Sequence, residues 1–371
     1  MSMLTQAYST FKETHLVHLL SAGFSEVSPK ISKILYLLDK EYSTAPGFPM
    51  PISRRLWLWR HGFLSRSGAI FNLTDDNIGE YVSNYEQRMK LSQINDNNRA
   101  ILENKIVFHR ILSDISPYAP PDLAVIKNNA LYPLSTGERQ DPVDWVLSTL
   151  QNDKELILKP TTTSSGKGIL KLVNTEKSFT VNSEYKRKSE ISQIIEELDE
   201  YLVSRAVQQR EYANTIFPDS VNTIRVITML DPETGEAFSP AAVHRFGSTE
   251  SAPTDNWGQG GYCAEVDQDT GELSKATTVP DGSVQSWYSK HPDTGAQIEG
   301  ASIPEWETVF QEVLSLAERI PYVPYVGWDI VLTDGAFVIL EGNALPGIET
   351  LQSHSSLKSS QRVRNFYQHH C

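Results

Sequence analysis

Apolar residues dominate two short runs between residues 326 and 343, and an Asp-Gly pair at 334–335 separates them. Two such runs around Asp-Gly predict a β-hairpin with a tight turn. If the loop takes three residues, Asp329 lies directly opposite Glu341, and Asn343 points to the same face as Glu341. Facing carboxylates repel each other, and a divalent cation between them would remove that cost. The hairpin therefore predicts either a metal site or a surface strand pair whose wet face is acidic.

The pattern of the rest of the chain changes near residue 116. The first 116 residues carry helical periodicity and predict a mostly helical N-terminal region, which a Pro-rich break at 116–121 ends. Beyond the break, strand-like runs and helices follow in an order that predicts an α+β fold with largely antiparallel sheets. Strands are expected at 155–160, 169–173, 201–207, 223–230, 241–246 and 262–266, and helices at 78–91, 97–112, 142–150, 190–200 and 304–319.

Composition excludes several classes of protein. The formal net charge is −13, so broad binding of nucleic acid is not expected. Cys263 and Cys371 are the only cysteines, and they imply neither a disulfide framework nor a zinc site. No apolar run reaches the length of a membrane span and the first residues lack a signal-peptide pattern, so we expect no membrane partner and a cytoplasmic location. The sequence does not predict an oligomeric state.

A loop rich in Ser, Thr and Gly at 161–168 joins two predicted strands. It is not a P-loop, because Gly168 follows Lys167 where Ser or Thr is required, and a strand follows where a helix should. Its backbone N–H groups can still form a nest for phosphates, and Lys159 at the end of the preceding strand would add a point charge. The alternative interpretation is a flexible hairpin loop with a solvated lysine.

Four segments, taken in order, resemble the ATP-grasp superfamily. Within it they resemble the sugar-transfer-associated ATP-grasp proteins, which are related to α-L-glutamate ligases. The segments cover roughly residues 100–350; each is weak alone, but the ordered set is specific. They are Leu158-Lys159-Pro160 with Ser164-Ser165-Gly166-Lys167-Gly168, Asn222-Thr223-Ile224-Arg225-Val226-Ile227-Thr228, Asp255-Asn256-Trp257-Gly258-Gln259-Gly260-Gly261, and Gly327-Trp328-Asp329 through Glu341-Gly342-Asn343 to Pro346-Gly347.

The resemblance implies ATP clamped between two α+β subdomains within residues 117–371. Residues of about 150–207 would form the small nucleotide-clamping subdomain, and 208–371 the metal and substrate subdomain. The phosphates would be contacted by Lys159, by Lys105 further upstream, and by a flexible loop of Ser165, Gly166, Lys167 and Gly168. The backbone around Val203, Ser204, Ala206 and Val207 would hold adenine, and Glu211 the ribose hydroxyls.

The resemblance also implies that Asp329, Glu341 and Asn343 bind Mg²⁺, as two ions that bridge to the β- and γ-phosphates. Two positions depart from the family pattern. Ser204 stands where many relatives begin the adenine hinge with a carboxylate. Gly327 stands where many ligases have an arginine, so the compensating cation would come from Arg225 or Arg245.

Arg225 alternates with Ile224 and Val226, so it points off the opposite sheet face from these apolar residues. On the inner face it would grip a carboxylate or phosphate with both arms of its guanidinium; otherwise it is an exposed strand arginine paired with a surface acid. Arg245 is interpreted in the same way, and its neighbour His244 as a packed histidine rather than a base.

The Gly-rich segment at 255–261 is interpreted as a loop at the mouth of the substrate site. Asp255 would orient the incoming amine or merely cap a turn, and Asn256, Gly260 and Gly261 would approach the substrate closely.

The superfamily's usual reaction makes an ATP- and Mg²⁺-dependent ligase the leading hypothesis. ATP would phosphorylate a carboxylate to an acyl phosphate, and an amine would then displace phosphate, on a small metabolite or cell-surface precursor. Such a transfer needs positioning and charge neutralisation, here from Lys167, Arg225 and Arg245. A small-molecule kinase and a non-catalytic nucleotide-binding module are the alternatives.

Overall fold

The computed structural model describes residues 29–44, 48–162, 168–175, 178–282 and 284–371. Three residues of the predicted phosphate loop, Ser165, Gly166 and Lys167, lie outside these ranges. The chain forms two compact units: Met1–Gln93, Val279–Ser286 and Gly347–Cys371 make up the first, and Ile94–Thr278 with Trp287–Pro346 the second. All site residues discussed below that the structure describes belong to the second unit.

Helices form most of the described part of the first unit and flank the sheets of the second. Within the ranges given above they are α1 Pro29–Thr44, α2 Ile52–His61, α3 Ser65–Ile70, α4 Asn84–Met89, α5 Ala100–Glu103, α6 Lys105–Ile115, α7 Pro142–Asp153, α8 Lys188–Glu196, α9 Glu211–Ile216, α10 Trp306–Arg319, α11 Ile348–Leu351 and α12 Gln361–His370. None of the helices so described is both long and apolar enough to cross a lipid bilayer.

The strands that the structure describes all belong to the second unit. They are β1 Asp122–Lys127, β2 Ala130–Pro133, β3 Glu155–Pro160, β4 Leu170–Asn174, β5 Phe179–Val181, β6 Glu184–Lys186, β7 Tyr201–Arg205, β8 Ile224–Leu230, β9 Ala237–Phe238, β10 Ala242–Phe246, β11 Tyr262–Val266, β12 Leu273–Thr277, β13 Trp287–Tyr288, β14 Tyr325–Thr333 and β15 Ala336–Asn343. Every strand predicted from the pattern is present, with ends that differ by no more than two residues.

Two antiparallel sheets organise these strands. The smaller has the order β2-β1-β7-β3-β4-β5-β6, and the larger the order β13-β12-β11-β10-β8-β14-β15 with β9 beside β8. The predicted α+β class with antiparallel sheets is therefore confirmed. Strands β1 and β2 were not predicted, because the run from 122 to 133 is short and follows directly on the Pro-rich break. Nor were β5, β6, β9, β12 and β13, which are two to five residues long.

The smaller sheet has one apolar and one polar face around the centre of β7. Val203 points into an apolar cluster with Leu156 and Leu158. Ser204 points the other way and pairs in register with Asp122 of β1. Because Ile157 lies opposite Ser204 and side chains repeat every second residue, Lys159 shares the face of Ser204. The polar face therefore collects side chains from three neighbouring strands.

The larger sheet is also two-faced. Ile224 and Val226 are buried in the apolar core against α10, as their alternation with Arg225 predicts. Arg225 lies on the opposite face and pairs in register with Asp329 of β14. The strand pattern thus places a cation and an anion side by side over the middle of the sheet.

The hairpin β14–β15 has the predicted pairing but reaches it by a different route. The loop takes two residues, since Thr333 pairs with Ala336, and not the three expected. With that loop alone, Asp329 would oppose Leu340. A bulge between Asp329 and Ile330 adds the missing residue, and Asp329 pairs with Glu341. The carboxylates therefore face each other because the bulge moves the register by one residue.

The predicted helix at 97–112 is broken at Asn104. The Asn104 side chain accepts hydrogen bonds from the backbone N–H groups of Ile106 and Val107, which starts α6 afresh. Lys105 consequently occupies the first turn of α6. Its backbone N–H donates to the carbonyl of Thr161 at 3.0 Å, which ties the start of this helix to the end of β3.

In the first unit, the single helix expected at 78–91 is also interrupted. Ser83 and Glu86 form a reciprocal capping box, in which each side chain accepts from the other residue's backbone N–H. This cap begins α4 at Asn84, and only a short 3₁₀ turn, Ile78–Glu80, precedes it.

Candidate active site

Asp329 lies at the centre of a buried charge cluster. Nε and Nη2 of Arg225 bind its two carboxylate oxygens, the latter at 2.7 Å from Oδ2. Nη2 of Arg245 donates to the same Oδ2 at 3.0 Å. Burial alone would raise the pKa of Asp329, but the two guanidinium groups hold it well below its usual range. Asp329 is therefore ionised and bound by two cations.

Arg245 connects Asp329 to a second carboxylate. Its Nε lies 3.4 Å from Oδ2 of Asp255 and 2.9 Å from Oγ1 of Thr223. Asp255 in turn accepts from the backbone N–H of Thr223 at 2.8 Å and from the Thr223 hydroxyl. Asp255 is buried, so its carboxylate holds Thr223 and Arg245 in place rather than facing an open site.

The remaining residues of the 255–261 loop shape its backbone. Asn256 accepts from the N–H of Gly258 at 2.9 Å and caps a short 3₁₀ turn. Gly260 follows with φ 99°, which side chains rarely adopt. A Cβ on Gly261 would lie 2.9 Å from the carbonyl oxygen of Asp255. These glycines therefore allow a tight turn beside the arginine cluster.

Gly327 leaves space that Arg225 and Pro346 occupy. A Cβ built on Gly327 would lie 2.7 Å from Cβ of Pro346 and 3.4 Å from Cδ of Arg225. The side chain of Arg225 thus passes over the position from which an arginine at 327 would project. The structure accordingly supplies the cation beside Asp329 from β8 instead of β14.

Glu341 faces Asp329 across the hairpin, and the pKa values of the two carboxyl groups are shifted in opposite directions. Burial and the neighbouring Asp329 carboxylate raise the pKa of Glu341. Asn343, on the same face, donates from Nδ2 to the carbonyl of Gly327 at 3.2 Å and lies 3.5 Å from Oε1 of Glu341. The pair is thus strained by like charge, which a bound cation would relieve.

The residues fit a divalent cation that binds together with phosphates. No group of three His, Cys, Asp or Glu side chains is arranged to hold a metal among the residues that the structure describes, and both oxygens of Asp329 already accept from Arg225. Mg²⁺ commonly takes only one or two carboxylates and completes its shell with substrate phosphates and water. The carboxylates of Glu341 and Asp329 and the amide oxygen of Asn343 match this small number of protein ligands.

A second polar cluster lies on the polar face of the smaller sheet. Nζ of Lys159 lies 3.1 Å from Oδ1 of Asp122, and the Ser204 hydroxyl donates to the same oxygen. Nδ1 of His109 lies 3.4 Å from Oδ2. Burial raises the pKa of Asp122, but Lys159, His109 and Ser204 together lower it below its usual value. Asp122 is therefore a buried, ionised carboxylate.

Lys105 is close enough to both clusters for their charges to act on its pKa. Burial is the main cause that lowers its pKa, with the charge of Lys159 acting in the same direction, while Glu341 and Asp122 raise it. Lys105 is thus electrically coupled to both Lys159 and Glu341. The structure brings together the two predicted phosphate lysines and the predicted metal carboxylate, which lie far apart in sequence.

The predicted adenine segment runs along the end of β7. Val203 is buried in the apolar cluster, so only its backbone is available to a ligand. The Ser204 hydroxyl is engaged by Asp122, and Ala206 and Val207 are half-buried beyond the strand. Glu211 is exposed at the first position of α9, 3.4 Å from the hydroxyl of Thr215.

Of the predicted phosphate loop, the structure describes Gly168. It has φ 77°, and a Cβ there would lie 3.0 Å from Oη of Tyr201. His244 is buried between the rings of Tyr212 and Phe246, and burial lowers its pKa to about 3. It is a neutral, packed histidine, in agreement with the interpretation from sequence.

Sequence reasoning did not select Asp122, His109 or Thr223. Asp122 contacts the selected Lys159 and Thr223 contacts the selected Arg245, in both cases from another segment of the chain, and His109 contacts Asp122 from a helix. For His109 a signal was present, because it follows Lys105 by four residues and so lies on the same helix face. Asp122 offered none, since it stands alone after Pro121 at the start of an unpredicted strand.

Comparisons with solved structures gave remote similarities. D-alanine–D-alanine ligase from Bacillus anthracis is 13% identical over 74% of this chain and 70% of its own, with a TM-score of 0.40. D-cycloserine synthetase DcsG is 12% identical over 74% and 72%, with a TM-score of 0.40. N5-carboxyaminoimidazole ribonucleotide synthetase from Thermotoga maritima is 12% identical over 72% of this chain and 49% of its own, with a TM-score of 0.37.

The chain thus spans about half the length of the Thermotoga protein. A comparison with curated proteins gave no match. The profile of the family described as sugar-transfer associated ATP-grasp, by contrast, matches residues 80–366, well over half of the 371 residues, and includes every site residue named above. The chain therefore belongs to the sugar-transfer-associated ATP-grasp family and has its α+β ATP-grasp fold.

Proposed function

We propose that this protein is an ATP- and Mg²⁺-dependent carboxylate–amine ligase that forms an amide or peptide bond on a small metabolite or a cell-surface precursor. One observation carries the proposal: Glu341 faces the Asp329 carboxylate that two buried arginines bind, and the backbone of Lys105 is tied to Thr161, two residues beyond Lys159. Two cations beside a carboxylate pair suit a triphosphate with its metal. A structural surface would have no need of so many charges at one buried place.

The nucleotide would lie between the two sheets of the second unit. In this proposal residues of about 150–207 clamp it, and residues from 208 onward supply metal and substrate ligands. Lys105 and Lys159 would meet the phosphates, and the backbone at Ala206 and Val207 would pair with adenine. Glu211 is exposed, and its carboxylate would accept hydrogen bonds from the ribose hydroxyls.

Glu341, Asn343 and Asp329 would hold Mg²⁺ against the β- and γ-phosphates. When bound, Mg²⁺ neutralises phosphate charge and supports in-line transfer to the substrate carboxylate. The product of that transfer is an acyl phosphate, in which phosphate is a good leaving group. An amine then attacks the acyl carbon, the C–O bond to phosphate breaks, and the amide forms with loss of a proton.

Arg225 and Arg245 would bind the substrate through the N–H groups that make no hydrogen bond within the cluster. Arg225 uses Nε and Nη2 on Asp329, and Arg245 uses Nε and Nη2 on Thr223 and Asp329. The Nη1 group of each makes no hydrogen bond to the part of the chain that the structure describes. These groups are therefore the ones left to bind a transferring phosphoryl or a substrate carboxylate.

An ADP-release assay tests the proposal. The full chain is incubated with MgATP and a panel of carboxylic acids, with and without amines, and products are identified by mass spectrometry. ADP release that needs both acid and amine, with an amide as product, supports the ligase. A phosphorylated product without amine would make the protein a kinase, and ATP binding without turnover on any acid would make it a binding module. Glu341→Gln serves as the inactive control.

A further inference from the structure

Asp122 is the most enclosed carboxylate on the nucleotide side of the second unit. Only 1% of its side chain is exposed, against 13% for Lys159. It stands at the first position of β1, where Arg205 of β7 donates a backbone N–H to Pro121 at 3.0 Å. The start of β1 is therefore held firmly beside the predicted adenine segment.

Three polar side chains from three elements surround this carboxylate. They are the Lys159 ammonium from β3, the Ser204 hydroxyl from β7 and the His109 ring from α6. Burying a carboxylate is costly unless its oxygens are bound. A buried ion pair that has only a structural role can often be replaced by apolar residues without loss of stability. The donors of Asp122 instead include the lysine that we assign to the phosphates.

We propose that Asp122 is the positioning residue of Lys159, holding its ammonium ready for the phosphates of a nucleoside triphosphate. The inference rests on the proposed function and adds a residue to it. One N–H of the ammonium donates to Oδ1 of Asp122, and the other two remain for phosphate oxygens. The Ser204 hydroxyl binds the carboxylate itself, and the His109 ring lies 3.4 Å from its other oxygen. Lys159 thus binds phosphate without first losing the freedom of a flexible side chain.

A second effect of Asp122 on ATP affinity acts in the opposite direction. The negative charge of Asp122 repels phosphate, so its removal could strengthen binding. That charge is already compensated by an ammonium at 3.1 Å, whereas the loss of a charge-assisted contact frees the whole lysine side chain. We therefore expect positioning to outweigh repulsion.

The test compares Asp122→Asn with Asp153→Asn. Asp153 is the control, because it is another carboxylate of the second unit that binds a cation, the Arg205 side chain at 3.0 Å, whereas the proposal uses only backbone groups of the adenine segment around Arg205. Dissociation constants for ATP and for adenosine are measured by calorimetry on the full chain. Asp122→Asn should weaken ATP binding roughly tenfold and change adenosine binding less than twofold, while Asp153→Asn should leave both unchanged.

A double-mutant cycle with Lys159→Met separates positioning from a general structural role. If Asp122 acts through Lys159, Asp122→Asn should have no further effect on ATP binding once Lys159 is replaced. An equal loss in both backgrounds would overturn the proposal. So would tighter ATP binding by Asp122→Asn, since the carboxylate would then be a competitor of the phosphates. A loss of adenosine binding would overturn it as well, and would assign Asp122 to the base.

Two controls keep these outcomes interpretable. If Asp122→Asn does not fold, as judged by circular dichroism and thermal melting, Asp122→Glu replaces it. That variant keeps the charge but moves the oxygens, and a loss confined to ATP is again expected, whereas unchanged binding would contradict positioning. If the wild-type chain binds no ATP, the proposed function itself fails. If it binds ATP and the variants match it, only the present inference fails.

Discussion

The guanidinium of Arg225 binds both oxygens of the Asp329 carboxylate, across two neighbouring strands of the larger sheet. The pair is buried, and Arg245 adds a second cation to the same carboxylate. Asp329 is thus held in place before any ligand arrives. Glu341 opposite it lies beside the amide of Asn343, and the charges of Lys105 and Arg225 lower its pKa, but burial and the Asp329 carboxylate outweigh them and raise it. The two carboxylates of the predicted metal site are therefore not equivalent.

This asymmetry predicts the effect of Glu341→Gln. The change removes one ligand charge and relieves the repulsion with Asp329, so turnover should be abolished while the melting temperature without ligands holds or rises. The stabilisation by MgATP should shrink, because the cation loses its better-exposed ligand. Thermal melting with and without MgATP, together with ADP release, checks the prediction. Wild-type turnover by this variant would remove Glu341 from the metal site.

Arg225→Lys should lose activity nearly as fully as Arg225→Ala, with ATP affinity largely kept. An ammonium is a point charge and cannot bind two oxygens of Asp329 in one plane. Arg225→Ala should also lose roughly 3 kcal/mol of stability, the lower end for removing one partner of a buried pair, because Arg245 remains on Asp329. Steady-state kinetics and chemical denaturation measure the two effects.

A charge-neutral double variant separates them. Arg225→Met with Asp329→Asn leaves no unpaired buried charge, so most of the stability should return while turnover stays absent. If kinetics of Arg225→Lys match the wild type, the arginine is a structural partner of Asp329 alone.

Lys159→Ala should weaken ATP binding strongly, whereas Lys167→Ala should act mainly on turnover. Lys159 is half-buried at the end of a strand and held by Asp122, so it meets phosphate in the ground state. Lys167 belongs to the predicted phosphate loop and would contribute only when that loop closes over the nucleotide. ATP titrations and single-turnover rates distinguish the two. Unchanged ATP affinity in both variants would place the phosphate site elsewhere.

Gly327→Ala should destabilise the second unit by about 1–3 kcal/mol, as expected for an extra methyl group in a packed region. The new Cβ would lie 2.7 Å from Cβ of Pro346, and the backbone of β14 or Pro346 must shift. Gly79→Ala is the control, since no heavy atom lies within 4 Å of its added Cβ. Denaturant midpoints for the two variants decide the matter; equal midpoints would contradict the close packing.

His244 should make stability depend on pH below neutrality. In the folded chain its pKa is about 3, against 6.5 for an ordinary histidine. Between these values the unfolded chain binds the additional proton, so the free energy of unfolding falls as pH falls, by up to about 1.4 kcal/mol per pH unit. His244→Phe keeps the ring contacts with Tyr212 and Phe246 and should flatten this slope. Denaturation at pH 7 and at pH 5 measures it, and an unaltered slope in the variant would assign the dependence to other groups.

Local pattern was sufficient for several features of the site. The alternation at 224–226 placed Arg225 opposite the apolar face, and the run around 334–335 placed Glu341 and Asn343 on one face of a hairpin. These features follow from a backbone whose side chains alternate every residue, so neighbours in sequence decide them. The order of the family segments likewise led to the family that the profile match shows.

Other features depended on which strands became neighbours. The bulge that aligns Asp329 with Glu341 could not be predicted, because the apolar pattern is compatible with a loop of two residues and with a loop of three. Arg225 meets Asp329 although 104 residues separate them, and Lys159 meets Asp122 only because β7 lies between their strands. Sequence alone therefore determined which side chains share a face, because that is set by adjacent peptide units. Only the tertiary structure decided which charges pair, because pairing depends on distances between segments that packing brings together.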